Sequence, residues 1–157
     1  MTLAVSDRDF LLQAIALSEQ SVSEGGFPAG AVIVHDGRII GRGISIGGKL
    51  NDPTSHGEIA AIRDACQTLK TSSLAGCTLY GSMEPCLMCF GASSWSGLNR
   101  IVYACAKSSV SPDYYGGHYH MASLSRDLMA PITLMHTAEM EETALVIVRN
   151  WEKSLAV

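Results

Sequence analysis

Two short segments constrain this chain more than any other feature: His56-Gly57-Glu58 and, further along, Pro85-Cys86-Leu87-Met88-Cys89. Each sits where a strand or loop gives way to an apolar pattern at helical spacing, so each marks a helix start. Cysteines three apart on one helix point to the same side, so Cys86 and Cys89 can share one ion. A His from a second helix start completes three protein donors. A fold that uses both segments must bring two separate helix N-termini to one point.

The rest of the chain supplies elements that can do this. Phe10, Leu11, Ala14, Ile15 and Val22 recur at helical spacing with Ser18 on the same face, predicting a helix over residues 7–24 that Gly25-Gly26 ends. AGAVIVHDGRIIGRGISI reads as two antiparallel strands around Asp36-Gly37, a strong hairpin signal. After the loop GGKLNDPT, a helix is expected over residues 56–69, capped by Thr54 or Ser55. CTLYGS and RIVYACA then read as strands around a helix that opens at or near Pro85. Beyond Lys107 comes a long loop, SSVSPDYYGGHYH, whose length suggests a lid. A short helix, the strand ITLMH and a final helix to about residue 151 complete the chain. Strands alternating with helices predict one three-layer α/β/α domain over residues 1–157.

Composition narrows the class. With 157 residues, 47% of them hydrophobic, the chain can bury one continuous core. A net charge of −4 without a Lys/Arg cluster argues against nucleic acid as a partner. No run approaches the roughly 18 apolar residues of a membrane span, and acidic residues interrupt the N-terminal pattern, so a cytoplasmic protein is expected. Five cysteines, an odd number, argue against a disulfide framework. Cys66, Cys77 and Cys105 read as small buried apolar residues. His35, His118, His120 and His136 lack ligand-like spacing and read as surface or loop residues.

Three donors leave one corner of a tetrahedral zinc open, which distinguishes a catalytic from a structural site. Cys-x-x-Cys alone also fits structural zinc and redox motifs, but a structural site needs a second donor pair and none is spaced for it. Two thiolates formally cancel the charge of Zn²⁺. Two helix N-termini aimed at the site would therefore help to hold the thiolates, and Glu58 is placed to be a proton acceptor rather than a ligand.

His-x-Glu followed by Pro-Cys-x-x-Cys matches the signature of zinc deaminases at every position. Together with GAVIV, NDPTSHGEIAAIRDAC and CTLYGSMEPCLMCFGA, it resembles the cytidine deaminase superfamily over roughly residues 7–107. The closest branch holds guanine deaminase, fungal-type cytosine deaminase and tRNA adenosine deaminase. The resemblance implies a five-stranded mixed sheet between helices, one zinc per subunit and a homodimer with its interface near the active sites. Carried over residue by residue, His56, Cys86 and Cys89 are zinc ligands and Glu58 shuttles protons.

The resemblance also implies pocket residues. Phe27 and Ala29 match the family's pocket-lining segment, and Trp95 matches a Trp that lines the base pocket in bacterial guanine deaminases. Ser45 stands where an Asn usually anchors the substrate, and Ser109 where guanine deaminases carry an Asp. Gly57 replaces a usual Ala. In the long loop, Tyr114 could close over a base and Asp113 could bind its amidine edge. The expected reaction is hydrolytic deamination of a small heterocycle, guanine first and cytosine or a related base second. A nucleoside deaminase or a tRNA adenosine deaminase is the alternative, the latter disfavoured by Glu139, Glu141 and Glu142 in the last helix.

Overall fold

The computed structural model of the protein describes residues 5–157, so the first four residues of the domain expected over 1–157 lie outside the described range. Helix α1 spans Val5–Ser23, and its Leu11, Ala14 and Ile15 are buried. Gly25, at φ 85°, turns the chain out of it into strand β1, Phe27–His35. Asp36 and Gly37, both at positive φ (47° and 72°), form the expected tight turn into β2, Arg38–Ser45.

Past β2 the structure departs from the expected single loop. GGKL forms one helical turn, α2 (Gly47–Leu50), that Asn51 ends in the left-handed region. Neither Thr54 nor Ser55 caps the next helix, α3 (Gly57–Leu69); His56 holds the cap position and makes no side-chain cap bond. Asp52 explains this, since its carboxylate accepts bonds from the backbone N–H and the hydroxyl of Thr54, which closes the loop one turn earlier. Strand β3 (Thr78–Met83) and strand β4 (Arg100–Cys105) flank helix α4 (Leu87–Trp95), whose cap is Cys86, so Pro85 lies just outside. Two 3-10 turns, Lys107–Ser109 and Pro112–Tyr114, break up the long loop before α5 (Met121–Asp127), β5 (Thr133–His136) and α6 (Ala138–Leu155).

The five strands form one mixed sheet in the order β2-β1-β3-β4-β5. β1 is antiparallel to β2 and β3, while β3, β4 and β5 run parallel. Alternation along the strands sorts side chains to two faces. Val32, Val34, Tyr80, Val102 and Ala104 pack with α1 and α6, whereas Ala31, Ile33, Leu79 and Ile101 pack with α3, α4 and α5. This is the expected three-layer architecture. On the second face α3 lies close against β2, because Gly41 and Gly43 present no side chain: a Cβ at Gly43 would collide with the Gly57 carbonyl oxygen, and one at Gly41 with that of Ala61.

Strand direction then determines where chemistry can gather. The start of β1, the end of β2 and the end of β3 share one end of the sheet, as the pairing of Phe27 with Ser45 shows. The chain enters α3 after β2 and α4 after β3, so both helix N-termini stand at that end, which is where ligands of open α/β sheets bind. At the far side of the sheet a buried network ties α1 to the strands: Asp7 accepts a bidentate pair from Arg100 (3.1 and 2.7 Å) and a bond from the Tyr80 hydroxyl (2.5 Å). The guanidinium holds the Asp7 carboxyl below its ordinary value of 3.8.

Candidate active site

The two segments converge. His56 Nδ1 lies 3.5 Å from Cys86 Sγ and 3.6 Å from Cys89 Sγ, and the three donor atoms fall within 4.8 Å of one another. One tetrahedral zinc with Zn–S of about 2.3 Å and Zn–N of about 2.0 Å separates its sulfur and nitrogen donors by roughly 3.6 Å, so the spacing fits such an ion. Glu58, 5% exposed, stands beside them with Oε2 accepting a 3.3 Å bond from the Cys89 thiol. It bonds a ligand's sulfur and is not itself one of the grouped donors.

Local structure explains the donors' placement. His56 and Cys86 occupy the cap positions of α3 and α4 in extended backbone, so the free N–H groups of both first turns face the cluster. Helix N-termini favour negative charge. The donors' own chemistry agrees. A hydrogen bond from Cys89 holds the Cys86 thiol at about 4, while the same bond, reinforced by burial, drives the Cys89 thiol far upward. A cation bound between them would stabilise both sulfurs as thiolates. The bond to Cys86 raises His56, and burial raises Glu58.

A cavity of about 230 Å³ opens on this cluster. Four pocket residues read from sequence line it: Phe27, Ala29, Ser45 and Tyr114. Their placement depends on an irregularity in the sheet. Phe27 pairs with Ser45 but Gly30 pairs with Ile44, so Pro28 and Ala29 bulge from β1. Buried Ser21 of α1 supports the bulge, its hydroxyl donating to the Phe27 carbonyl (2.6 Å) and accepting from the Ser45 N–H (3.0 Å).

Three other expectations fall elsewhere. Trp95 is 93% exposed at the end of α4 and lines no part of its own chain's cavity. It lies nine residues past Cys86, roughly 13 Å along a helix at about 1.5 Å per residue. Asp113 is exposed in the 3-10 turn Pro112–Tyr114, while the next residue, Tyr114, faces the cavity. Gly57 is buried against the backbone of Ala29 and Gly30, behind the cavity rather than in it. Ser109, the position read against a family Asp, is exposed and donates to Glu141 (2.6 Å). Cys77 and Cys105 are buried as expected, whereas Cys66 is half-buried. His136 is exposed, as the surface reading expects, and from the end of β5 it stacks on Tyr103 of β4 (centroids 5.3 Å apart).

Tyr115, beside Tyr114 in the loop read as a closing segment, also lines the cavity, and sequence reasoning missed Met83 and Glu84, which line it too. Adjacency to Pro85-Cys86 was the available signal for these two. Tyr115 and Tyr119 hold the long loop onto the metal cluster's helix: Tyr115 donates to the Glu84 carbonyl (2.8 Å), and Tyr119 donates to the Tyr115 carbonyl (2.8 Å). The Tyr119 oxygen accepts from the Leu87 N–H (3.0 Å), filling one of α4's free donors. Lys107 closes the set, its amide donating to Glu84 Oε2 and its ammonium to the Tyr119 carbonyl (both 2.7 Å).

Three donors with an open corner and a buried carboxylate, at helix starts on one end of a mixed sheet, define the class of zinc-binding deaminases. The family model described as "Cytidine and deoxycytidylate deaminase zinc-binding region" matches residues 4–105, and the chain belongs to that family. It is 47% identical over 96 residues to guanine deaminase of Bacillus subtilis, covering 60% of this chain and 62% of that one. It is 38% identical over 95 residues to the tRNA-specific adenosine deaminase of Aquifex aeolicus, covering 60% and 63%. The matched segment thus spans about three-fifths of these relatives. Guanine deaminase from Nitrosomonas europaea superposes with a TM-score of 0.83 at 25% identity, covering 98% of this chain and 87% of that one. Among the described residues no helix is long and apolar enough to cross a membrane.

Proposed function

We propose that the protein hydrolytically deaminates a small aminated nucleobase-like heterocycle, with guanine the first candidate and cytosine or a related base the second. The observation that carries this reading is the convergence of His56, Cys86 and Cys89 beside the buried Glu58 at the floor of a small cavity. A zinc held by the three donors would supply Lewis acidity to the attacking water. Glu58 takes the proton that the water releases, returns it to a ring nitrogen, and then assists departure of ammonia. Phe27, Ala29 and Tyr114 give the cavity apolar walls for a flat ring. Ser45, whose hydroxyl has no bond among the described residues, offers one polar contact.

Guanine leads because identity to the guanine deaminase is 47%, against 38% to the tRNA-specific adenosine deaminase compared above, and a guanine deaminase structure covers 98% of the chain. We further infer a homodimer, since α4, which carries Cys89, exposes apolar surface at both ends, at Leu87 and at Trp95. Five free cysteines suit a reducing, cytoplasmic setting. The test is ammonia release by zinc-loaded protein from guanine, cytosine, isocytosine, adenine, pterins, triazines and their nucleosides. Turnover of a free base supports the reading, whereas turnover of a tRNA stem-loop alone replaces it.

A further inference from the structure

Two cavities meet at the cluster. The smaller, about 230 Å³, is bounded by Phe27, Ala29 and Ser45. The larger, about 350 Å³, is bounded by Pro53, Leu87, Met88 and Tyr119. His56, Cys86, Tyr114 and Tyr115 line both, so the two tyrosines form the partition between them. They are held differently. Tyr115 is buried and bonded to the main chain of Glu84. Tyr114 is half-buried and depends on α6: its hydroxyl donates to Glu152 Oε1 at 2.5 Å, and its ring packs edge-on against Trp151 (6.1 Å) and Phe27 (5.1 Å). Phe27 also meets Trp151 at 5.1 Å, so three aromatic rings lock together at the cavity mouth.

We propose that Tyr114, positioned by Glu152 and Trp151, restricts the site to free bases by keeping the two cavities apart. The proposal rests on the smaller cavity being the base pocket. A base alone can occupy that compartment, whereas a nucleoside needs space for its sugar. Swinging Tyr114 aside, with Tyr115 still in place, would open the base pocket onto the solvent-facing groove beside the donors and give a sugar a way out. Glu152 touches no substrate and is a positioning residue that acts through Tyr114.

The experiment compares Glu152→Ala, Glu152→Gln, Tyr114→Phe and the Tyr114→Phe/Glu152→Ala pair on the best free base and its nucleoside. Loss of one hydrogen bond should raise KM for the base about fivefold while kcat stays within about twofold. The ratio of kcat/KM for nucleoside over base should rise in the same variants. Glu152→Gln keeps an acceptor and should recover most of the wild-type KM. The double variant should be no worse than either single one, as expected for two ends of one bond. Trp151 emission, read in a Trp95→Phe background, should shift red in Glu152→Ala whatever the activity. Unchanged selectivity with unchanged emission overturns the proposal, as does a fall in kcat on every substrate without rescue by Gln. If the wild type acts on no free base, the pocket reading fails and so does selection for bases; the emission then decides only whether Glu152 holds Tyr114.

Discussion

The metal cluster and the loop above it are built in opposite ways. Residues 56–89 place each reactive side chain on a helix start supported by a strand, so their geometry follows from main-chain structure. Residues 106–120 hold their position through tyrosine hydroxyls, one lysine and bonds to three glutamates, Glu84, Glu141 and Glu152, across the molecule. Chemistry that tolerates little displacement sits on the first kind of support. The selection among substrates proposed above sits on the second.

That contrast can be broken most forcefully at Glu58. Glu58→Gln should retain one zinc per chain by metal analysis yet lose turnover by at least about 10²-fold, the low end for a positioned proton shuttle. Unchanged turnover would remove Glu58 from the reaction. Next in size is Asp7→Asn, at the far side of the sheet. Losing the charged partner of Arg100 should cost about 1–3 kcal/mol of stability, measured by urea unfolding, with kcat/KM unchanged. The depressed Asp7 carboxyl adds stability that is complete above its ordinary 3.8 and is lost as pH falls through the lower folded value. Wild type should therefore weaken more steeply than the Asn variant below about pH 4.

Ser21→Ala should cost about 1–2 kcal/mol by leaving the Ser45 N–H without its acceptor. Because Ser21 supports the bulge and not the cluster, zinc content should hold while KM for the base rises; a fall in zinc would mean the two regions are not separable. The smallest effect is expected at Tyr119→Phe, which removes one bond from α4 and one to the Tyr115 carbonyl, both at the half-buried edge of the loop. A KM increase of about two- to fivefold without change in kcat would sharpen the contrast, since Tyr119 joins the loop to the cluster's own helix.

Legibility in the sequence obeys the same division. The long helices, the hairpin and the clustering of His56, Cys86 and Cys89 could be read because periodicity, turn chemistry and motif spacing are local signals, whereas the single turn α2 has no such pattern. The bulge at Ala29, the Tyr115–Glu84 bond and the Tyr114–Glu152 bond could not, because they join residues far apart in sequence and leave no periodic trace. Trp95 shows the limit of reading by likeness: the residue type matches a pocket aromatic, but helix length carries it away from its own chain's cavity. Asp113 was one position from the residue that faces inward, an offset that no pattern in a Ser- and Gly-rich loop could resolve. His56 at the cap of α3 required knowing that Asp52 had already closed the preceding turn.

Gly43 has no functional group and belongs to β2, the outermost strand, yet it presses on the Gly57 carbonyl between His56 and Glu58. A single methyl added there would act as a wedge, tilting the helix start that carries His56 and Glu58 together. Tolerance of the reactive centre to mutation is therefore decided partly at the rim of the sheet, by a residue whose only contribution is the room it leaves.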